Sequence, residues 1–243
     1  MALIAYDSAD AAAFEATRHL PDVALGTWRD AITRYLGPRP GLRLLDLGCG
    51  TGSWSRAFRS WWSDAEVVAV EPSAAMRERA VHRPVLAGSA EEIPLDDSSV
   101  DAVWLSTVIH HVPDLAAAAR EVRRVVRPGA PVLIRSAFAG RHEAITLFRY
   151  FPEAIAVLNS YPSVADVEAA FAVAGFTTAG FEQVPQLTAP SLQKAAASLR
   201  REAHTPLQMI SDEAYAAGVV RLREAAETET GPVVDALDLL VLR

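Results

Sequence analysis

Short apolar runs alternating with helical patterns constrain this chain more than any other feature. LRLLDL (42–47), EVVAVE (66–71), RPVLAG (83–88), SVDAVWLS (99–106) and APVLIRSAF (130–138) are each bounded by turn residues and followed by a stretch of helical pattern. Strands alternating with helices form βαβ units, and such units build a parallel sheet covered by helices. Ahead of them, PDVALGTWRDAITRYL (21–36) sets Leu25, Trp28, Ile32 and Tyr35 or Leu36 at helical spacing, with Gly37-Pro38 as its stop. Asp114 reads as the N-cap of LAAAAREVRRVV, and Ser163 with Asp166 as a capping box for SVADVEAAFAVAG, which Gly175 closes. FTTAGFEQV (176–184) and VVDALDLLVLR (233–243) read as two late strands, separated by the helical patterns SLQKAAASLRREA and DEAYAAGVVRLREAAE.

Composition narrows the partners. The 243 residues carry a formal charge of −7, so no electrostatic footprint for a phosphate backbone or an anionic membrane is expected. The expected partner is a small molecule, with neither nucleic acid nor membrane; monomer and homodimer both stay open. Cys49 is the only cysteine and cannot form an internal disulfide, and the first residues lack the basic and apolar regions of a signal peptide, so a cytoplasmic location is expected. No window reaches the ~20 apolar residues that a membrane span needs. The histidines lack metal-ligand spacing, so no metal is expected.

Between the first apolar run and the next helical pattern stands Asp46-Leu47-Gly48-Cys49-Gly50-Thr51-Gly52. Glycines there permit a tight turn and let the backbone approach a ligand where a Cβ would collide. A dinucleotide would bring an anionic pyrophosphate to the following helix N-terminus, and Asp46 at the strand end opposes that. S-adenosylmethionine instead brings a cationic sulfonium and an ammonium, which an acidic strand end attracts. Glu71 closes the second run, at the distance where an acid accepts both ribose hydroxyls. Ser89 and the backbone beside it follow the third run, placed to meet an adenine edge.

LLDLGCGTG, VVAVEPS, GSAEEIPLDDSSVDAVWLSTVIHHV and AREVRRVVRPGAPVLI, in this order over about residues 42–138, resemble the motifs of class I S-adenosylmethionine-dependent methyltransferases that act on small molecules. The resemblance implies an α/β, Rossmann-like, doubly wound sheet of seven strands with the last antiparallel. It also implies that Asp46, Gly48, Gly50 and Gly52 border the methionine part of the S-adenosyl-L-methionine, Glu71 the ribose, and Ser89 with Ala90 the adenine. Cys49, Pro72, Glu91 and Ser106 belong to the same cofactor-binding set. Ser89 departs from the family's common aspartate, which predicts a weaker bond to the adenine amino group. On this reading residues 1–243 form a single domain: an N-terminal helical lid (1–40), a cofactor-binding core (41–140) and a C-terminal half (141–243) with a helical insertion at about 190–230. The lid proper would come from residues 1–36, 141–162 and 190–230.

Ligands of open parallel sheets lie beyond the carboxyl ends of the strands, so Ser106 to His111 should face the reacting methyl group. Methyl transfer is an in-line displacement that needs nucleophile, methyl and sulfur held collinear in a dry site. A histidine can take the proton of a hydroxyl nucleophile near neutral pH. His110 and His111 are the candidates, and as neighbours only one is expected to face the pocket. His111 is similar in place to a histidine that phosphoethanolamine-type methyltransferases pair with an N-terminal tyrosine, which makes Tyr6 the corresponding lid residue. Phe148, Tyr150 and Phe151 read as pocket lining or ordinary core, Trp28 as a packing aromatic, and Arg200, Arg201 and His204 as an anion site or a solvated face. The expected activity is methyl transfer to an oxygen, nitrogen or carbon of a small, partly apolar metabolite. The rivals are a same-fold enzyme catalysing a non-transfer reaction such as cyclisation, and a non-catalytic binding protein.

Overall fold

Alternation along the strands decides which residues meet which helices. In the computed structural model, which describes residues 22–37 and 39–243, strands β1 (Arg43–Leu47), β2 (Glu66–Glu71), β3 (Val85–Ala87), β4 (Ala102–Ser106), β5 (Val132–Ser136), β6 (Thr178–Ala189) and β7 (Val233–Leu242) form one sheet of order β3-β2-β1-β4-β5-β7-β6. The first five pair in parallel, whereas β7 runs antiparallel between β5 and β6, as the resemblance implied. Tyr6 lies outside the described residues.

One face of the sheet presents Leu45, Leu47, Val103, Leu105 and Ile134 to α4 (Leu115–Val125) and α7 (Val164–Val173), through Ala119, Val122, Val167 and Phe171. The other presents Leu44, Val67, Trp104 and Leu133 to α1 (Asp22–Leu36) and α2 (Ser53–Trp61), through Trp28, Ile32, Leu36 and Phe58. Fully burying one such side chain contributes about 1.5–3 kcal/mol, so these two seams hold the sheet between its helices. The remaining helices are α3 (Ala74–Glu78), α5 (Thr146–Tyr150), α6 (Ile155–Leu158), α8 (Leu192–Ser198), α9 (Thr205–Gln208) and α10 (Asp212–Thr228). A third apolar cluster joins Phe151, Leu158, Leu192, Leu207 and Leu222 from α5 through α10, away from the sheet faces.

The caps form as read. Asp114 Oδ1 accepts from the Ala117 N–H at 2.9 Å, and Ser163 and Asp166 exchange side-chain and backbone bonds in a capping box. Two boundaries differ from expectation. β6 runs on past Val184 through Pro185, because it is the edge strand and a missing N–H costs no ladder bond on its open side. The stretch expected as one helix over SLQKAAASLRREA breaks after Ser198, and Arg201 is tied instead to the carbonyls of Leu207 and Ile210 and to Asp212. α1, expected within the lid, is a core helix: Trp28 has no exposed surface, and no residue of α1 borders the cavity described next.

Candidate functional site

The strand order reverses between β1 and β4, and the crevice of an open α/β sheet lies outside the carboxyl ends there. A cavity of about 820 Å³ occupies that position, reaching from the ends of β1, β2, β4 and β5 to the third apolar cluster. Asp46, Gly48, Cys49, Gly50, Glu71, Pro72, Ser89, Ala90, Glu91 and Ser106 all border it, as do His110 and His111. Gly52 does not. It takes a φ of +78° at the N-cap of α2, and a Cβ there would meet His82, so it serves the turn and not the cavity wall.

The loop after β1 is pinned from two sides. The N–H groups of Gly48 and Cys49 donate to the Val70 carbonyl at 2.8 and 3.0 Å, drawing the loop over the end of β2. At Gly48 the φ is +72° and a Cβ would stand 2.6 Å from Val108 Cγ2, so only glycine lets the backbone sit this close to the segment after β4.

Glu71 is buried and not a solvated surface carboxylate. It accepts from the Gly50 N–H at 2.9 Å and from the Ser73 N–H at 2.9 Å, so it ties the glycine loop to the start of α3. Burial raises its pKa against those two bonds and the nearby Arg77 charge. Asp46 is more deeply enclosed and accepts from the Ser55 hydroxyl at 2.5 Å. Burial pushes its pKa up to about 7; the Ser55 bonds oppose the rise and the Glu71 charge adds to it. Two buried acids at one end of the cavity make an environment that favours a cationic ligand. Burial also pushes the Cys49 thiol up, with the two acids adding to it, which keeps the thiol protonated and unreactive.

Ser89 Oγ accepts from the Glu91 N–H at 3.3 Å, and the Glu91 carboxylate accepts from the Asp114 N–H at 2.9 Å. The Glu91 acid therefore braces the N-terminus of α4 while its residue lines the cavity.

His110 and His111 lie on one turn of 3₁₀ helix, Ile109–His111, directly after β4. Both border the cavity, which corrects the expectation of one. A 3₁₀ turn separates neighbours by about 120° and not by the half-turn of a strand, and here the two rings stand 4.1 Å apart. His110 stacks on Tyr161 at 4.2 Å with 7° between ring planes. Burial lowers the His111 pKa to about 4, away from the near-neutral value expected of it.

Phe148, Tyr150 and Phe151 satisfy both readings, since they are buried in the third cluster and also border the cavity. His204 borders it too, whereas Arg200 and Arg201 bind backbone carbonyls and Asp212. Sequence reasoning missed Arg135, Gln186, Thr188 and Asp235 on the wall nearest β5 to β7. A charged residue inside the otherwise apolar run APVLIRSAF was the available signal, because arginine is almost never fully buried unless paired.

Residues 45–134 match the methyltransferase domain family. A malonyl-[acyl-carrier protein] O-methyltransferase of Serratia marcescens is 36% identical over 136 residues, which is 54% of this chain and 53% of that protein. The enzyme of the same description from Erwinia pyrifoliae is 30% identical over 195 residues, 79% of this chain and 72% of that one. The chain thus spans about half the length of the Serratia relative and nearly three quarters of the Erwinia one. Among solved structures, a protein of Anabaena variabilis ATCC 29413 described as a candidate methyltransferase from an antibiotic biosynthesis pathway superposes with a TM-score of 0.65 at 23% identity, covering 87% of this chain and 95% of that one. The fold and the sequence agree: this chain belongs to the class I S-adenosylmethionine-dependent methyltransferases.

Proposed function

We propose that the chain moves a methyl group from S-adenosylmethionine to an oxygen, nitrogen or carbon of a small, partly apolar metabolite. The observation that carries this is one continuous cavity with two buried acids and a glycine loop at one end, an apolar chamber at the other, and two histidines bordering it. The acid end fits the cationic donor by charge, and the close-lying Gly48 and Gly50 backbone leaves room for it. When bound, S-adenosylmethionine supplies an electrophilic methyl group on a sulfonium. Asp46 and the loop from Gly48 to Gly50 would hold its methionine part, Glu71 with Pro72 its ribose, and Ser89, Ala90 and Glu91 its adenine.

His111 would accept the proton of an attacking hydroxyl at an imidazole nitrogen. Its lowered pKa keeps that ring neutral, and so able to accept, at any pH above about 4. Stacking of His110 on Tyr161 would fix the orientation of the pair. The walls of Phe148, Phe151, Leu192 and Leu199 would exclude water from the reacting atoms. The reading keeps the protein in the cytoplasm, acting on a small metabolite.

The direct test is turnover of labelled S-adenosylmethionine across a panel of metabolites, with labelled product and S-adenosylhomocysteine formed together. Glu71→Ala should weaken S-adenosylhomocysteine binding by about 1–3 kcal/mol in calorimetry, the cost of losing hydrogen bonds to a charged group; unchanged affinity would remove Glu71 from the site. His111→Ala should slow an oxygen methylation by about 10²–10⁴. The acid limb of the chemical step should fall near pH 4 in the unaltered protein. Binding without turnover over the whole panel would sink the enzymatic reading.

A further inference from the structure

Asp46, Glu71, Asp101, Asp235 and Asp238 are the buried acids among the described residues, and their partners differ. Asp46 and Glu71 border the donor end of the cavity. Asp101 is paired with Arg39 and Arg127, and Asp238 with Arg141, so the protein itself matches those two charges. Asp235 borders the cavity and forms no ion pair with any described residue. Its carboxylate accepts from neutral donors, the Thr146 N–H at 2.7 Å on Oδ1 and the Thr188 hydroxyl at 2.8 Å on Oδ2. Arg135, which shares the cavity wall, is bonded to Ser106 and Gln186 and makes no ion pair with Asp235.

The sheet aims this carboxylate at the chamber. Asp238 pairs with Ser136, the last residue of β5, so Asp235 stands beyond that strand, where β7 pairs only with β6. Alternate side chains of a strand share a face. Val233, Asp235 and Leu237 accordingly border the cavity, whereas Val234 between them is 54% exposed. Opposite, the register of β6 shifts between Leu187 and Ala189, a bulge that turns Thr188 onto Asp235. An ionised carboxylate offers about four lone-pair sites, so one bond on each oxygen leaves both able to accept from a ligand. Leu147, Phe148, Phe151, Leu192 and Leu222 line the chamber with apolar surface.

A carboxylate enclosed with neutral donors alone lacks a compensating charge, and a cationic ligand supplies it. We propose that the methyl-accepting substrate is an amphiphilic amine, its ammonium seated on Asp235 and its apolar body against the leucine and phenylalanine wall; this rests on the methyltransferase reading of the cavity and adds the class of substrate. A nitrogen held as ammonium has no lone pair with which to attack a methyl group. Asp235 therefore anchors the substrate as a specificity-determining residue, and another atom of the substrate accepts the methyl.

Octylamine, 1-octanol and octanoate carry similar bodies and three different heads. With S-adenosylhomocysteine filling the donor end, calorimetry at neutral pH should show octylamine binding at least about tenfold tighter than either of the others, the size expected of charge-assisted hydrogen bonds. Asp235→Asn keeps the side-chain size, an oxygen for the Thr146 N–H and an amide for the Thr188 hydroxyl, and removes the charge. In that variant octylamine should fall to within about twofold of 1-octanol, while S-adenosylhomocysteine affinity stays within about twofold, as for sites without shared partners. An Asp235 that only braces Thr146 and Thr188 would leave the amine-to-alcohol ratio unmoved. Equal affinity for amine and alcohol in the unaltered protein, preference for octanoate, no octylamine binding, or an amine preference retained by Asp235→Asn would each overturn the proposal, and the first three need no variant to fold. Failure of the unaltered protein to bind S-adenosylhomocysteine would instead strike the methyltransferase reading beneath it.

Discussion

Asp46 gives the candidate site a pH dependence near neutrality. Its pKa lies near 7 in the folded protein, above the usual carboxylate value of 3.8, because burial penalises the charged form. An acid raised by folding holds its proton longer in the folded state than in the unfolded one. Stability contributed by this residue is therefore greatest below the ordinary value and declines as pH rises towards 7. A cationic ligand does the reverse work: it favours the ionised carboxylate, so binding should expel a proton and tighten as pH rises through 7. Calorimetry with S-adenosylmethionine at about pH 6.5, in two buffers of different ionisation enthalpy, should register proton release that Asp46→Asn abolishes. Proton uptake, or release undiminished in the variant, would show that the acid end does not serve a cation.

Among the elements, α10 packs through a notch. At Gly218 a Cβ would run into the Phe151 ring, which is fully buried and stacks on Tyr215 of the same helix at 5.8 Å. Alanine is the better helix former by about 1 kcal/mol, but overpacking a buried aromatic costs about 1–3 kcal/mol. Gly218→Ala is therefore expected to melt below the unaltered protein, and a higher midpoint would mean that Phe151 yields freely.

Periodicity could not announce this notch, because the glycine stands in an unbroken helical pattern and its partner lies far away in sequence. The strands were legible for the opposite reason: each alternates or runs apolar between turn residues, and the caps of α4 and α7 are local chemistry. Asp46, Glu71 and the glycine loop were legible because each stands at the end of such a strand. What escaped reading depends on tertiary context. Pro185 is harmless only because β6 is an edge, the break after Ser198 depends on where Arg201 finds carbonyls, and Arg135 with Gln186 meet only once β5 and β6 flank β7.

For the whole molecule, the three apolar clusters are not equivalent. Two are pressed against the sheet, whereas the third surrounds the cavity and borrows its wall. Side chains that face a cavity lack partner atoms on one side and forfeit dispersion energy there. Regions with fewer apolar neighbours open locally without global unfolding. Amides of α8 and α9 should thus exchange hydrogen faster than those of β4 and β5 in the ligand-free protein. All five tryptophans, Trp28, Trp54, Trp61, Trp62 and Trp104, belong to the cluster under α1 and α2 and of them Trp54 alone borders the cavity, so tryptophan emission should change little during that opening. Filling the cavity restores the missing neighbours. S-adenosylhomocysteine at 100 times its Kd should stabilise the fold by about 2.7 kcal/mol, or a rise of roughly 5–11 °C in Tm for a chain of this size. Equal protection of helices and strands before any ligand is added would mean that the third cluster is as tightly held as the other two, and that the chamber closes without help from what it binds.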